Sequence, residues 1–220
     1  MSDEHPLKDS WWLSPKYGPT LLCKHVGHEV ENMVRSTVAF YSGIEPLTPI
    51  QDSVLTRARV ILDFISGKRT YSNANFYASQ IIKEDKHCAN ILSNVSKEIK
   101  SDKQDTNGNY MHWYFFISSR LQHIGFSRES INDHDQWPNS VEGTEKKHES
   151  LLELSDYVLD NLEIISPCLQ DGFQNVMDKI IIRGREYLAS SGKIDNIKPC
   201  DIIKDLELTP IPYTDSSTDQ

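Results

Sequence analysis

Apolar residues recur three or four positions apart in several stretches of the chain, the spacing that lines them up on one face of an α-helix. Val26, Val30, Met33, Val34 and Tyr41 make the first stripe, and Gly43 and Pro46 close it, so a helix is expected over about 24–42. Asp52 or Ser53 is placed to cap a second helix, whose stripe of Val54, Leu55, Ile61, Leu62 and Ile65 stops at Gly67. The third pattern is the longest. From Ser72 to Lys100, Tyr77, Ile81, Cys88, Ile91, Val95 and Ile99 follow the spacing of a helix packed lengthwise on others.

The polar run 101–109 contains Asn107-Gly108, a turn signal. After it, Tyr110, Trp113, Tyr114, Ile117, Leu121 and Ile124 share one helical face, although the unbroken run 110–117 also suits a buried strand. Helix is the preferred reading because no partner strand is visible elsewhere. Residues 127–147 are polar and hold Trp137-Pro138, which reads as a long surface loop and a candidate binding loop. Leu151, Leu152, Val158, Leu159 and Leu162 predict a fifth helix ending at Ser166-Pro167, since the residue before proline is pushed out of the helical region. Phe173, Val176, Met177, Ile180, Ile181, Tyr187 and Leu188 predict a sixth, closed by Gly192. A short seventh begins near Pro199 and carries Ile202, Ile203 and Leu206. The fold class expected is all-α, an irregular bundle of about six or seven helices. An arm (1–20) precedes the helical domain (21–208), and a flexible, disordered tail (209–220) follows it.

Composition adds three constraints. The chain has 220 residues, 38% of them hydrophobic and 25% charged, enough to bury a core without metal or disulfide staples. Its formal net charge of -9 repels phosphate backbones and anionic headgroups, which disfavours nucleic acid and membrane surfaces as partners. Cys23, Cys88, Cys168 and Cys200 form no Cys-x-x-Cys pair, so their spacing matches neither a zinc knuckle nor a redox motif. Cys88 and Cys168 stand within apolar patterns and read as small buried hydrophobes, which suits a reducing compartment. Residues 1–10 are acidic and polar, and no window approaches the ~18 apolar residues of a membrane span. Cytoplasm or nucleus is the expected location.

Three constellations are candidates for chemistry. Glu84 to His87 and Glu145 to His148 are Glu-x-x-His pairs, which on a helix place a carboxylate and an imidazole on one side, as in ferritin-like di-iron proteins. Glu84 falls on the apolar seam of the third helix. Two further helices must each add a Glu, however; Glu29 or Glu31 fills one vacancy and the 110–124 segment offers no carboxylate. His25 and His28, with Cys23 and Glu29, are a second possible divalent-metal set, with Asp133-His134-Asp135 as a distant supplement. The ladder Glu149, Glu153, Asp156, Asp160 and Glu163 has the spacing of a magnesium-binding helix but lacks a facing ladder, and reads as a solvated face. Nucleophile elbows and phosphate loops are absent from the sequence.

The expected function is therefore a non-catalytic protein–protein interaction module, an adaptor or regulatory subunit with no cofactor. Its partner-binding candidates are Trp11, Trp12, Trp137 and Tyr213 as aromatic anchors, with Arg183 and Arg185 in a basic cluster that includes Lys179 and Lys193. A metal-dependent helical enzyme is the alternative. A nucleic-acid-associated factor acting through the C-terminal helices is the second.

Overall fold

Helical backbone begins earlier than the first apolar stripe suggests. The computed structural model describes residues 14, 16–44, 47–67, 76–101, 112–122 and 146–189. In it α1 (Gly18–Leu22), a π-helical turn (Cys23–Gly27) and α2 (His28–Tyr41) follow one another without leaving helical angles. Pro19 lies in the first turn, where a missing N–H breaks no intrahelical bond. Gly43, at φ 67°, takes the left-handed conformation that ends the rod.

The same proline chemistry shifts the second helix. α3 spans Leu47–Ser66 with Pro49 in its first turn, so Asp52 and Ser53 lie inside the helix and do not cap it. Arg57 Nη1 donates to both oxygens of the Glu29 carboxylate, at 2.9 and 2.8 Å, and Ser36 donates to Ser53 at 3.0 Å. Because the α3 partner moves back as the α2 residue moves forward, the two helices run antiparallel.

The long third pattern is two elements instead of one. A 3-10 turn (Ala78–Gln80) precedes an extended segment in which Ile82 bridges Leu169, and α4 (Lys86–Ile99) begins only after Asp85. Asp85 is extended, at φ -133° and ψ 153°, and its carboxylate accepts the Cys88 N–H at 2.8 Å, which is helix N-capping. Ile81 is still fully buried, so the apolar spacing is kept by two pieces that face the same core. Glu84 is a correction to the sequence reading. It lies before the helix and is exposed, not on a buried seam.

α5 (Trp113–Gln122) is helical, which resolves the strand alternative, and buries Trp113, Tyr114, Phe116 and Ile117. α6 (Lys146–Ile165) runs into a 3-10 turn (Ser166–Cys168) at Pro167, and α7 (Asp171–Ala189) follows. Residues 146 and 147 belong to α6, and the rest of the expected 127–147 loop lies outside the described residues. So do the element expected near Pro199 and the tail 209–220.

The core is built on the α2–α3 pair, with α3 also packed on α4, α5 and α6, and α7 packs on α1, the π turn, α2 and α6. Two glycines set its closeness. A Cβ at Gly27 would stand 3.3 Å from Ile180 Cδ1, and one at Gly184 would stand 3.2 Å from Leu159 Cδ2 and 3.3 Å from Val30 Cγ1. Leu22, Met33, Ile61, Leu62, Leu154 and Phe173 fill the interior at less than 2% exposure. Between α2 and α6 the core holds a polar contact, Thr37 Oγ1 to Ser155 Oγ at 2.8 Å. The described residues are thus all-α apart from the isolated bridge, and no helix among them is long and apolar enough to cross a membrane.

Candidate interaction surface

The acidic ladder of α6 is not simply solvated. Asp156, Asp160 and Glu163 stand one helical turn apart and point outward, because Leu154, Val158, Leu159 and Leu162 take the inner face. Arg185 of α7 reaches across to them. Its Nη2 donates to Asp160 Oδ1 at 2.5 Å and to Glu163 Oε2 at 2.6 Å, and its Nη1 lies 3.9 Å from Asp156 Oδ1. The hydrogen bond to Asp160 leads in raising the Arg185 pKa above its ordinary value, and burial raises that of Asp156. One cation is shared among three carboxylates, so the cluster remains net acidic.

Two large apolar side chains flank this cluster. Ile164 is one turn beyond Asp160 on α6 and Ile182 is one turn before Arg185 on α7, with 53% and 55% of their surface exposed. Since Arg185 joins Asp160 and Glu163, while Ser166 donates to Asp178 one turn before Ile182, both isoleucines belong to the same end of the α6–α7 pair. Among the described residues the other exposed large hydrophobics are Ile44, beyond the end of α2, and Val60 on α3. Ile164 and Ile182 escape a periodicity reading because each sits off its helix's inward stripe. Their signal in the sequence is an isoleucine on the polar side, Ile164 beside Glu163 and Ile182 beside Arg183.

The other candidate residues are scattered. Glu84 and His87 are exposed and share no helical face, since α4 starts between them. Glu145 lies outside the described residues, as does the side chain of His148. His25 projects from the π turn into solvent, and the exposed His28 Nε2 accepts from Asn32 Nδ2 at 2.9 Å. Cys23, which would join them, is instead fully buried, and burial pushes its thiol up to about 11. Among the described residues, no three His, Cys, Asp or Glu side chains gather as a metal-ion set. Arg183 is half-buried near Cys23, while Arg185 reaches the α6 carboxylates, and Lys193 lies outside the described residues. Trp11, Trp12, Trp137 and Tyr213 lie outside the described residues.

No protein-family model, curated protein or solved structure matches the chain.

Proposed function

We propose that this protein is a helical interaction module, an adaptor or regulatory subunit, whose α6–α7 face receives a basic, apolar segment of a partner protein. The observation that carries this reading is the placement of Ile164 and Ile182 beside Asp156, Asp160, Glu163 and Arg185. Apolar residues ringed by charge are the usual make-up of a docking site, with an apolar centre that expels water and a polar rim that sets orientation. A lysine or arginine of the partner would take up the carboxylate capacity that Arg185 leaves over. The formal charge of -9 favours such a partner by long-range attraction.

The test is site-specific photocrosslinking in cells that express the full chain. A photoreactive residue at 164 or 182 is expected to capture a discrete partner protein, and one at the exposed Val60 is expected to capture none. The same partner should be lost when Ile164→Asp and Ile182→Asp are combined. Equal capture from position 60, or capture unaffected by the double substitution, would refute the assignment of this face.

A further inference from the structure

Cys88 and Cys168 come from distant parts of the chain, yet a set of short bonds brings them together. The Lys83 N–H donates to the Cys168 carbonyl at 2.8 Å, the Gln170 N–H donates to the Ile81 carbonyl at 3.0 Å, and Ile82 bridges Leu169 between them. The Lys83 side chain adds a bond to the Pro167 carbonyl at 2.9 Å. Three residues past this seam, Asp85 starts α4 and fixes Cys88 in its first turn. The two thiols are neighbours there, and both the Asp85 carboxylate and the Cys168 thiol bear on the Cys88 thiol and raise its pKa. Both are free and nearly sealed from water, at 6% and 2% exposure.

We propose that Cys88 and Cys168 are a reversible dithiol that closes to an intramolecular disulfide by exchange with a small-molecule disulfide, fastening the start of α4 to the α6–α7 corner. One protein thiolate attacks the reagent's S–S bond, forming a mixed disulfide and releasing one thiol. The other protein thiolate then displaces the second thiol. Two protein S–H bonds are replaced by one S–S bond, the protein is oxidised, and the reagent is reduced to two thiols that carry off the protons. The pair is guarded in its reduced state. The neighbouring Asp85 carboxylate, then the Cys168 thiol, pushes the Cys88 thiol up to about 12, and the thiolate is the reactive form. Exchange is therefore slow while the seam is closed, and each unit of rising pH should speed it by up to about tenfold.

The experiment equilibrates the full chain with graded mixtures of reduced and oxidised glutathione, traps free thiols by alkylation, and maps linked peptides by mass spectrometry. The result expected is one linkage, Cys88 to Cys168, reversed by excess reduced glutathione, with Cys23 alkylated only after unfolding. Cys88→Ser and Cys168→Ser should each abolish the linkage and leave glutathione on the remaining cysteine. Phenylarsine oxide, which bridges neighbouring thiols, tests the wild-type chain without any substitution and should bind one per chain, blocking the disulfide. Glutathione on both cysteines without a link, linkage no more frequent than pairs involving Cys200, or failure to bind phenylarsine oxide would overturn the proposal.

Discussion

Thr37 and Ser155 offer a sharp test of how α2 and α6 are joined. Both are fully buried. Thr37 Oγ1 lies 2.9 Å from the Met33 carbonyl, Ser155 Oγ lies 3.0 Å from the Leu151 carbonyl, and the two hydroxyls lie 2.8 Å apart. Two hydroxyl protons serve these three contacts, so one hydroxyl bonds its own helix and the other crosses the gap. Thr37→Val keeps the volume and leaves Ser155 free to donate to Leu151, so its expected cost is one net hydrogen bond, about 1 kcal/mol. Ser155→Ala loses the same bond and opens a small gap, at about 1–1.5 kcal/mol. In each single variant the remaining hydroxyl turns to its own helix and one of the two bonds survives, whereas the double variant keeps neither. The double variant should therefore cost about the sum of the singles, roughly 2–2.5 kcal/mol. Urea unfolding followed by circular dichroism gives all four corners of the cycle. A double variant no less stable than the weaker single variant would refute this bond count.

Ile164→Ser and Ile182→Ser should each change the unfolding free energy by less than about 0.5 kcal/mol, because both side chains are half exposed. Covering the exposed parts of both is worth roughly 2–3 kcal/mol, so their joint replacement should weaken the captured partner by about 30- to 150-fold in titration calorimetry. Gly67→Ala should cost about 1–3 kcal/mol, read as a lower thermal midpoint, since its Cβ would stand 2.5 Å from the Asp63 carbonyl as well as against the Tyr77 ring. Alkaline conditions should weaken the fold. Cys23 is raised from 9.0 to about 11 by burial, so the unfolded chain releases this proton first and stability falls as pH rises through that window. Tyr157, raised from 10.0 to about 12, extends the loss upward, and urea midpoints measured between pH 8 and 11 should decline more steeply in the wild type than in Cys23→Ala.

Periodicity made the helical class legible because a 3.6-residue repeat needs only local sequence. It misread the stretch 72–100 for an instructive reason. Ile81 reaches the same core as Val95 and Ile99, so the spacing survives although Asp85 restarts the chain from an extended conformation. Pro19 and Pro49 look like breakers but occupy first turns, where they are tolerated. The candidate surface was half legible. The carboxylate ladder stands in the sequence of α6, but its reading as a solvated face missed Arg185, which comes from another helix and meets it only in the folded chain. Ile164 and Ile182 gain meaning only once the inward faces are known. The thiol pair was hidden because Cys88 and Cys168 have no mutual spacing rule, and only the 82–169 bridge brings them together.

The close fit of Gly27 and Gly184 also governs how the protein emerges from a ribosome. The rod formed by α1 and α2 finishes its interior against α7, with about 130 residues still to be made after Tyr41, which at 5–20 residues per second takes on the order of ten seconds. For that interval Val26 and Val30 lack their final neighbours. The nascent hairpin of α2 and α3 has Arg57 and Glu29 to hold it, but its apolar side waits uncovered, so chaperone demand during synthesis should peak before residue 171 and end once α7 clears the exit tunnel.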